Sequence, residues 1–356
     1  MQKVALSFLK ELVSRPSPTG WEEPGQEVVA AHMGKYADKV EGDTMGNIHG
    51  VINPGASKRI MLAGHCDEIG LMVQHIDEKG YLIMSALGGV NVTLLPAERI
   101  IIKTAKGDIP GIVGAKPIHL LEKEEREKPQ NKIHELWVDI GAKDRKDAEK
   151  YVALGDVATI DSGWIELKNG LVACRGFDNR IGSFVVADVL RRLKGRKVNV
   201  AVHAVSTVQE EVGLRGARVA SFGIDPHLGI AVDLGFSTDC PGVNEKILGS
   251  AEIGGGPILH CGPTYNKELL EKMRKVAKEK KIATQFQPEN RGMGTDAFAI
   301  NMTRAGVPAA LLSVPSRYMH SPVETLDIAD IDKTADLITE FIVKLSGREK
   351  WGARKF

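Results

Sequence analysis

The chain has 356 residues, of which 43% are hydrophobic and 26% charged, an ordinary composition for a soluble protein of about two domains. A formal net charge of +1 provides no field for nucleic acid or an anionic membrane, so we expect neither as a partner. The four cysteines form no CxxC pair and no dense disulfide pattern, which predicts a reducing, cytoplasmic compartment.

The first 70 residues predict two helices and then strands. Val4, Phe8, Leu9 and Leu12 recur at helical spacing with charges between them, which indicates an amphipathic helix and not a signal peptide. A second helix is predicted at about 26–36, and the apolar run KRIMLAGH predicts a buried strand. No apolar run approaches the ~20 residues that cross a bilayer.

Between about residues 71 and 166 the helical pattern gives way to short apolar runs separated by Gly, Pro and Asp. The runs are LMVQHI, YLIMSAL, RIIIK, GIVGA, LWVDIG, DVATI and GWIEL. Short, regularly spaced strands of this kind predict a small β-barrel or sandwich. The charged run LLEKEEREKPQNK within this segment is predicted to be an exposed loop.

From about residue 172 strands and helices alternate again. NRIGSFVVADVLRRLKG has a helical period, with Asp178 just before it as a candidate N-cap. KVNVAVHAVSTVQEE, LGIAVDLG and VPAALLSV predict strands, and 266–281 and 330–346 predict helices. The pattern indicates an α/β domain, residues 1–70 and 167–356, interrupted by an inserted β domain, residues 71–166.

Acidic or histidine residues stand at the ends of four of the apolar strands, in AGHCDE, VQEE, VDLG and RYMHSP. The candidates there are His65, Asp67, Glu210, Glu211, Asp233 and His320. Ligands bind at the carboxyl ends of strands in open α/β sheets, so we expect these side chains to converge, with Asp178 as a further candidate. Two imidazoles and several carboxylates suit Zn²⁺, Co²⁺ or Mn²⁺, and a pair of ions needs a bridging carboxylate.

The short spacings within two of these motifs suggest separate roles for neighbouring side chains. A strand period of two puts His65 and Asp67 on one face, where the carboxylate can orient the imidazole. Glu210 and Glu211 are adjacent and point in different directions, so one can ligate an ion while the other acts as general base. Six further histidines are predicted to be structural: His75, His119, His134, His203, His227 and His260.

The motifs AGHCDEIGLMV, RGFDNRIG, VQEEVGLRGA, AVDLG and RYMHSPVET, in this order, resemble those of the tetrahedral aminopeptidases. That family is related to glutamyl and deblocking aminopeptidases, and some members carry the label cellulase M. The resemblance covers nearly the whole chain. It implies a metallopeptidase domain with a mixed sheet in an α/β/α arrangement, and an inserted small β-barrel at residues 71–166.

The resemblance also implies a role for each candidate side chain: Asp178 bridges two ions, His65 and Asp233 hold one ion, Glu211 and His320 hold the other, Glu210 is the general base, and Asp67 steers His65. Short peptides would lose one N-terminal residue per turnover. Dimers formed through the insertion would assemble into a dodecamer. GMGTDAF departs from the expected Gly-Gly-Thr-Asp run at Met293, which leaves the nearby pocket and the role of Asp296 open.

Two alternatives stand beside the aminopeptidase interpretation. A metal-dependent carboxypeptidase or amide deacylase would use the same ions on a different substrate. A glycoside hydrolase needs two carboxylates ~5–9.5 Å apart, but it explains neither histidine, and 5% aromatic residues provide little for sugar stacking. The preferred N-terminal residue and the resident ion are open at this point.

Overall fold

The computed structural model describes residues 1–123, 132–292 and 294–351. Most of the predicted loop LLEKEEREKPQNK and all of Met293 lie outside the described residues. The predicted fold class is confirmed, because the chain combines a mixed sheet, helices and a closed six-stranded barrel.

A mixed sheet of eight strands forms the centre of the α/β part. Its strands are β1 (Lys39–Gly42), β2 (Ile48–Ile52), β3 (Arg59–His65), β12 (Ala201–Thr207), β13 (Leu228–Phe236), β14 (Ile258–Cys261), β15 (Gln285–Pro288) and β16 (Ala309–Ser316). They lie in the order β1-β2-β12-β3-β13-β16-β14-β15. The four central strands β12, β3, β13 and β16 are mutually parallel, so their carboxyl ends share one edge of the sheet.

Helices cover both faces of this sheet. The helices of the described residues are α1 (Lys3–Ser14), α2 (Glu23–Met33), α3 (Arg145–Ala148), α4 (Phe177–Leu193), α5 (Arg215–Ile224), α6 (Glu245–Leu248), α7 (Lys267–Lys280), α8 (Asp296–Asn301) and α9 (Ile328–Val343). The short α3 packs in the barrel core instead, through Ala148, and α6 has no buried residue. Ile60 and Leu62 of β3 pack in the main core with α1, α2, α4, α7 and α9. Met61 and Ala63, on the opposite face, pack against α5 and α8.

The start of the second helix and the polarity of the helices can be compared with the sequence predictions. The second helix begins at Glu23, three residues before the predicted start, because Pro24 needs no hydrogen-bonded N–H in a first turn. Among the described residues, none of the helices is both long enough and apolar enough to cross a bilayer.

Six strands after β3 close into a barrel. They are β4 (Gly70–Ile76), β5 (Leu82–Leu87), β6 (Arg99–Thr104), β7 (Gly107–Gly114), β8 (Trp137–Asp139) and β9 (Val157–Ile160), in the cyclic order β4-β5-β8-β7-β6-β9. Alternate side chains fill its interior, such as Leu71 and Val73 from β4 and Ile100 and Ile102 from β6.

The last strand predicted in this segment, GWIEL, lies outside the barrel. Its strand β10 (Ile165–Glu166) pairs with β11 (Leu171–Cys174), which pairs in turn with β17 (Glu324–Asp327). The barrel offers β10 no free edge, because β9 pairs with β4 to close it. The domain limits at 71 and 166 stay a prediction.

Candidate metal centre

Four neighbouring parallel strands bring candidate ligands to one edge of the central sheet. His65 is the last residue of β3, Glu210 and Glu211 follow β12, and His320 follows β16. These side chains converge because the carboxyl ends of parallel strands meet at the same edge. Asp233 was predicted at the end of its strand, but it lies inside β13, which continues to Phe236.

Asp178 approaches the same edge from the start of α4. Asp178 and Asn179 have non-helical backbone angles, and the peptide bond between them is cis. The side chain of Asn179 accepts a hydrogen bond from the N–H of Gly182 at 2.8 Å, which is the capping interaction. The prediction of Asp178 as the N-cap is therefore wrong, and its carboxylate points at the histidines instead.

The two oxygens of Asp178 face different histidines. Oδ1 lies 3.5 Å from Nε2 of His65, and Oδ2 lies 3.4 Å from Nε2 of His320. An oxygen of Glu211 lies 3.5 Å from the same nitrogen of His320, and an oxygen of Asp233 lies 4.0 Å from that of His65. Two donors bound at ~2.1 Å to one tetrahedral ion stand about 3.4 Å apart, so these separations fit metal ligation.

Three groups of side chains offer donor atoms that lie within 4.8 Å of one another: His65 with Asp178 and Asp233, Asp178 with Glu211 and His320, and His65 with Glu210 and Glu211. Asp178 is shared by the first two groups. Glu210 belongs only to the third, with Oε2 at 3.7 Å from Nε2 of His65. The structure thus brings together all five predicted ligands and the predicted base.

The charges of the cleft also fit divalent cations. Among its described lining residues there is no lysine or arginine. Burial raises the pKa of Glu210 to about 10 and that of Asp233 well above its usual range. Contacts with Asp178 and Glu211 raise the pKa of His320 to about 11. Without cations, these three side chains therefore keep protons at neutral pH. Bound cations would replace those protons and balance the charge of the carboxylates.

Asp67 is fully buried and contacts three of the candidates. The ring nitrogen Nδ1 of His65 lies 3.0 Å from the carbonyl oxygen of Asp67. The carboxylate of Asp67 accepts the backbone N–H of Glu210 at 3.0 Å and that of Glu211 at 3.2 Å, and Thr19 donates to it at 2.9 Å. The predicted contact between the carboxylate of Asp67 and His65 is present but longer, with Oδ1 at 3.5 Å from Nδ1, and the hydrogen bonds to both glutamates were not predicted.

Glu324 has a similar position that the sequence did not reveal. It is 2% exposed, and it accepts the backbone N–H of Asp178 at 2.9 Å and that of His320 at 3.0 Å. The pairing of Cys174 with Glu324 in the small sheet places it beside the start of α4. Its place within the motif RYMHSPVET marks Glu324 in the sequence but does not indicate that it contacts Asp178.

A turn of the barrel also reaches the candidate ligands. The carbonyl oxygen of Gly89 lies 3.0 Å from Nδ1 of His320, which fixes the orientation of the imidazole. A Cβ on Gly89 would lie 2.8 Å from this nitrogen, and a Cβ on Gly88 would lie 3.1 Å from the Cβ of Glu211. The inserted segment therefore packs directly against the site.

Asp296 lies outside the three donor groups. Thr207, the last residue of β12, donates to its Oδ2 at 2.6 Å, and its Oδ1 has no hydrogen-bond partner among the described residues. Burial raises the pKa of Asp296 to about 6.

A cleft of ≈ 390 Å³ opens beside the candidate ligands. Apolar residues line much of it, including Leu234, Phe236 and Met319. His260, predicted to be structural, and Glu289, which drew no prediction, also line it. His260 lies inside β14 and Glu289 directly follows β15, and neither strand was predicted from the sequence, so both residues were missed.

Comparisons with known proteins agree with this geometry. Residues 46–337 match the family model described as M42 glutamyl aminopeptidase. The lysyl aminopeptidase of Pyrococcus furiosus is 36% identical over 340 residues, which cover 95% of this chain and 96% of the relative. A TET aminopeptidase from a marine sediment archaeon of the Thaumarchaeota has a TM-score of 0.92 and 33% identity, covering 96% of each chain.

The TET1 peptidase of Pyrococcus horikoshii, which can assemble into a tetrahedron or a large octahedral shell, has a TM-score of 0.84 and 29% identity. That match covers 96% of this chain and 100% of the other. The chain therefore belongs to the M42 glutamyl aminopeptidase family and is a metal-dependent aminopeptidase.

Proposed function

We propose that the chain removes N-terminal residues from short peptides with two divalent cations held by five side chains. His65 and Asp233 hold one cation, Glu211 and His320 hold the other, and Asp178 bridges them. The observation that carries this assignment is the orientation of Asp178, whose two oxygens face different histidines at 3.5 and 3.4 Å. The nitrogen and oxygen donors favour Zn²⁺ or Co²⁺, with Mn²⁺ as a further candidate.

When bound, the cations supply Lewis-acid chemistry, lowering the pKa of the attacking water and polarising the scissile carbonyl. Glu210 is the proposed general base, because its carboxylate faces His65 but belongs to neither donor group that contains Asp178. It takes the proton of the water and passes it to the leaving amine. The carboxylate of Asp67 accepts the backbone N–H of Glu210 and so holds this residue in place.

The test of this function is a panel of aminoacyl-p-nitroanilides on metal-stripped enzyme. We expect no hydrolysis by the stripped enzyme and recovery with Zn²⁺, Co²⁺ or Mn²⁺. An N-acetylated peptide should resist cleavage, because the free N-terminus is part of what an aminopeptidase recognises. Cleavage of the acetylated peptide, or of its C-terminal residue, would support a deacylase or carboxypeptidase instead. Sugar hydrolysis that survives chelation would support a glycoside hydrolase.

We also propose a cytoplasmic homo-oligomer. The four cysteines, all free, favour a reducing compartment. The inserted segment exposes apolar side chains between its barrel strands that a partner subunit would cover, with Ile118, Leu120 and Leu154 each more than 60% exposed. Dimers formed through the barrel and assembled into a dodecamer would have a mass of about 460 kDa, twelve times the 38.6 kDa of the chain. Light scattering that reports a monomer would contradict this assembly.

A further inference from the structure

The cleft must admit the side chain of the N-terminal residue, and its lining is chemically uneven. Apart from the candidate ligands and base, most of its walls are apolar: Leu234, Phe236, Leu248, Pro288, Leu311 and Met319. An apolar channel accepts the aliphatic part of a substrate side chain. The polar groups that line the cleft then determine which chemical group is preferred at the end of that substrate side chain.

Two further titratable groups line the described part of the cleft, His260 and Glu289. Burial lowers the pKa of His260 to about 4, so its imidazole is neutral at neutral pH. Its Nε2 lies 2.9 Å from the hydroxyl of Ser313, and its Nδ1 lies 3.7 Å from the carboxylate of Glu289. His260 therefore does not neutralise Glu289.

Glu289 keeps a carboxylate that a substrate can reach. Its side chain is 33% exposed, and it accepts a hydrogen bond from the hydroxyl of Tyr265, a neutral donor. No lysine or arginine lines the described part of the cleft to compensate its charge. An apolar channel with one accessible carboxylate complements a long aliphatic side chain that ends in a cation.

We propose that the cleft selects peptides whose N-terminal residue is lysine or arginine, and that Glu289 is the specificity-determining residue. This proposal rests on the proposed aminopeptidase function and adds its substrate class. An N-terminal glutamate is disfavoured in the same cleft, because its carboxylate would meet that of Glu289.

The test compares the Lys, Arg, Leu and Glu p-nitroanilides on the metal-loaded wild type and on Glu289→Gln. For the wild type we expect kcat/KM for Lys and Arg to exceed that for Leu and Glu by ~10-fold or more. Glu289→Gln should lower kcat/KM for Lys and Arg by ~10–100-fold and change that for Leu by less than about 3-fold, since only the cationic substrates lose a charged partner. Tyr265→Phe is the matched control, because it removes the hydrogen bond but keeps the charge, and it should retain the preference.

Two results would overturn the proposal while leaving the aminopeptidase function intact. One is a wild type that prefers Leu or Glu, a result that needs no folded variant. The other is an equal loss for Leu and Lys in Glu289→Gln, which would indicate a structural role. A wild type that cleaves no member of the panel with any cation would instead overturn the aminopeptidase function, and this proposal with it.

Discussion

Two buried acids position the candidate ligands through the main chain. Asp67 accepts the N–H groups of Glu210 and Glu211, and Glu324 accepts those of Asp178 and His320. Asp67 thus joins the end of β3 to the segment that follows β12, and Glu324 joins its own segment, which carries His320, to the start of α4. Each acid uses both of its side-chain oxygens, one for each N–H, so these contacts hold the backbone from which the ligands project.

Glu324→Gln tests this role at a residue that is not itself a candidate ligand. The amide keeps the shape of the side chain, but its NH₂ group cannot accept a hydrogen bond, so one backbone N–H loses its partner. We expect metal affinity to fall by ~10–100-fold, measured by competition with a chelator. Glu166→Gln, on an exposed strand, is the control and should bind metal like the wild type. Unchanged affinity in Glu324→Gln would show that this contact does not position the ligands.

At the scale of elements, the apolar strands made much of the site predictable. Acids and histidines that follow buried parallel strands lie at the shared edge of the sheet, so the convergence of His65, Glu210, Glu211 and His320 was predictable from their positions. Asp178 was also named, but its local structure was not foreseen, because Asn179 competes for the role of helix cap.

Other contacts could not be predicted because they join segments distant in the chain. Glu324 reaches Asp178 through the pairing of two short strands, and Gly89 reaches His320 through the packing of the barrel on the α/β part. No local period or motif spacing encodes such contacts. The small sheet shows the same limit, since β11 pairs with β17, which lies far along the chain.

Gly89→Ala tests the contact between barrel and site. The added methyl would lie 2.8 Å from Nδ1 of His320, so the imidazole or the turn must move. We expect weaker metal binding and a loss of kcat/KM of about 10²-fold, because displacements of ~1 Å have effects of that size. Gly163→Ala adds the same methyl where no atom lies within 4 Å, and it should behave like the wild type in both chelator competition and kinetics. Equal behaviour of the two variants would exclude this coupling.

At the scale of the whole molecule, a buried histidine gives the fold a pH dependence. His32 of α2 is 3% exposed, and its ring stacks on Phe8 of α1 with centroids 3.7 Å apart. Burial lowers its pKa from 6.5 to about 4. Below pH 6.5 the unfolded chain therefore binds a proton that the folded chain does not, and stability is lost as pH falls towards 4.

Between pH 7 and pH 5 this one group should cost about 2 kcal/mol of unfolding free energy. His32→Gln removes the titration, so its urea stability should fall less over this range than that of the wild type. His119→Gln changes an exposed histidine and should follow the wild type. The same pH dependence in wild type and His32→Gln would show that His32 does not titrate as described.

The number of bound ions per chain, measured by native mass spectrometry on enzyme reloaded with Zn²⁺, tests the central claim most directly. We predict two ions in the wild type and two in Glu210→Gln, whose turnover falls by ~10²–10⁴-fold because only the base is lost. Asp178→Ala should lose both ions, since it removes the shared ligand. A single ion in the wild type, two ions in Asp178→Ala, or near-normal turnover in Glu210→Gln would contradict the proposed binuclear centre and its base.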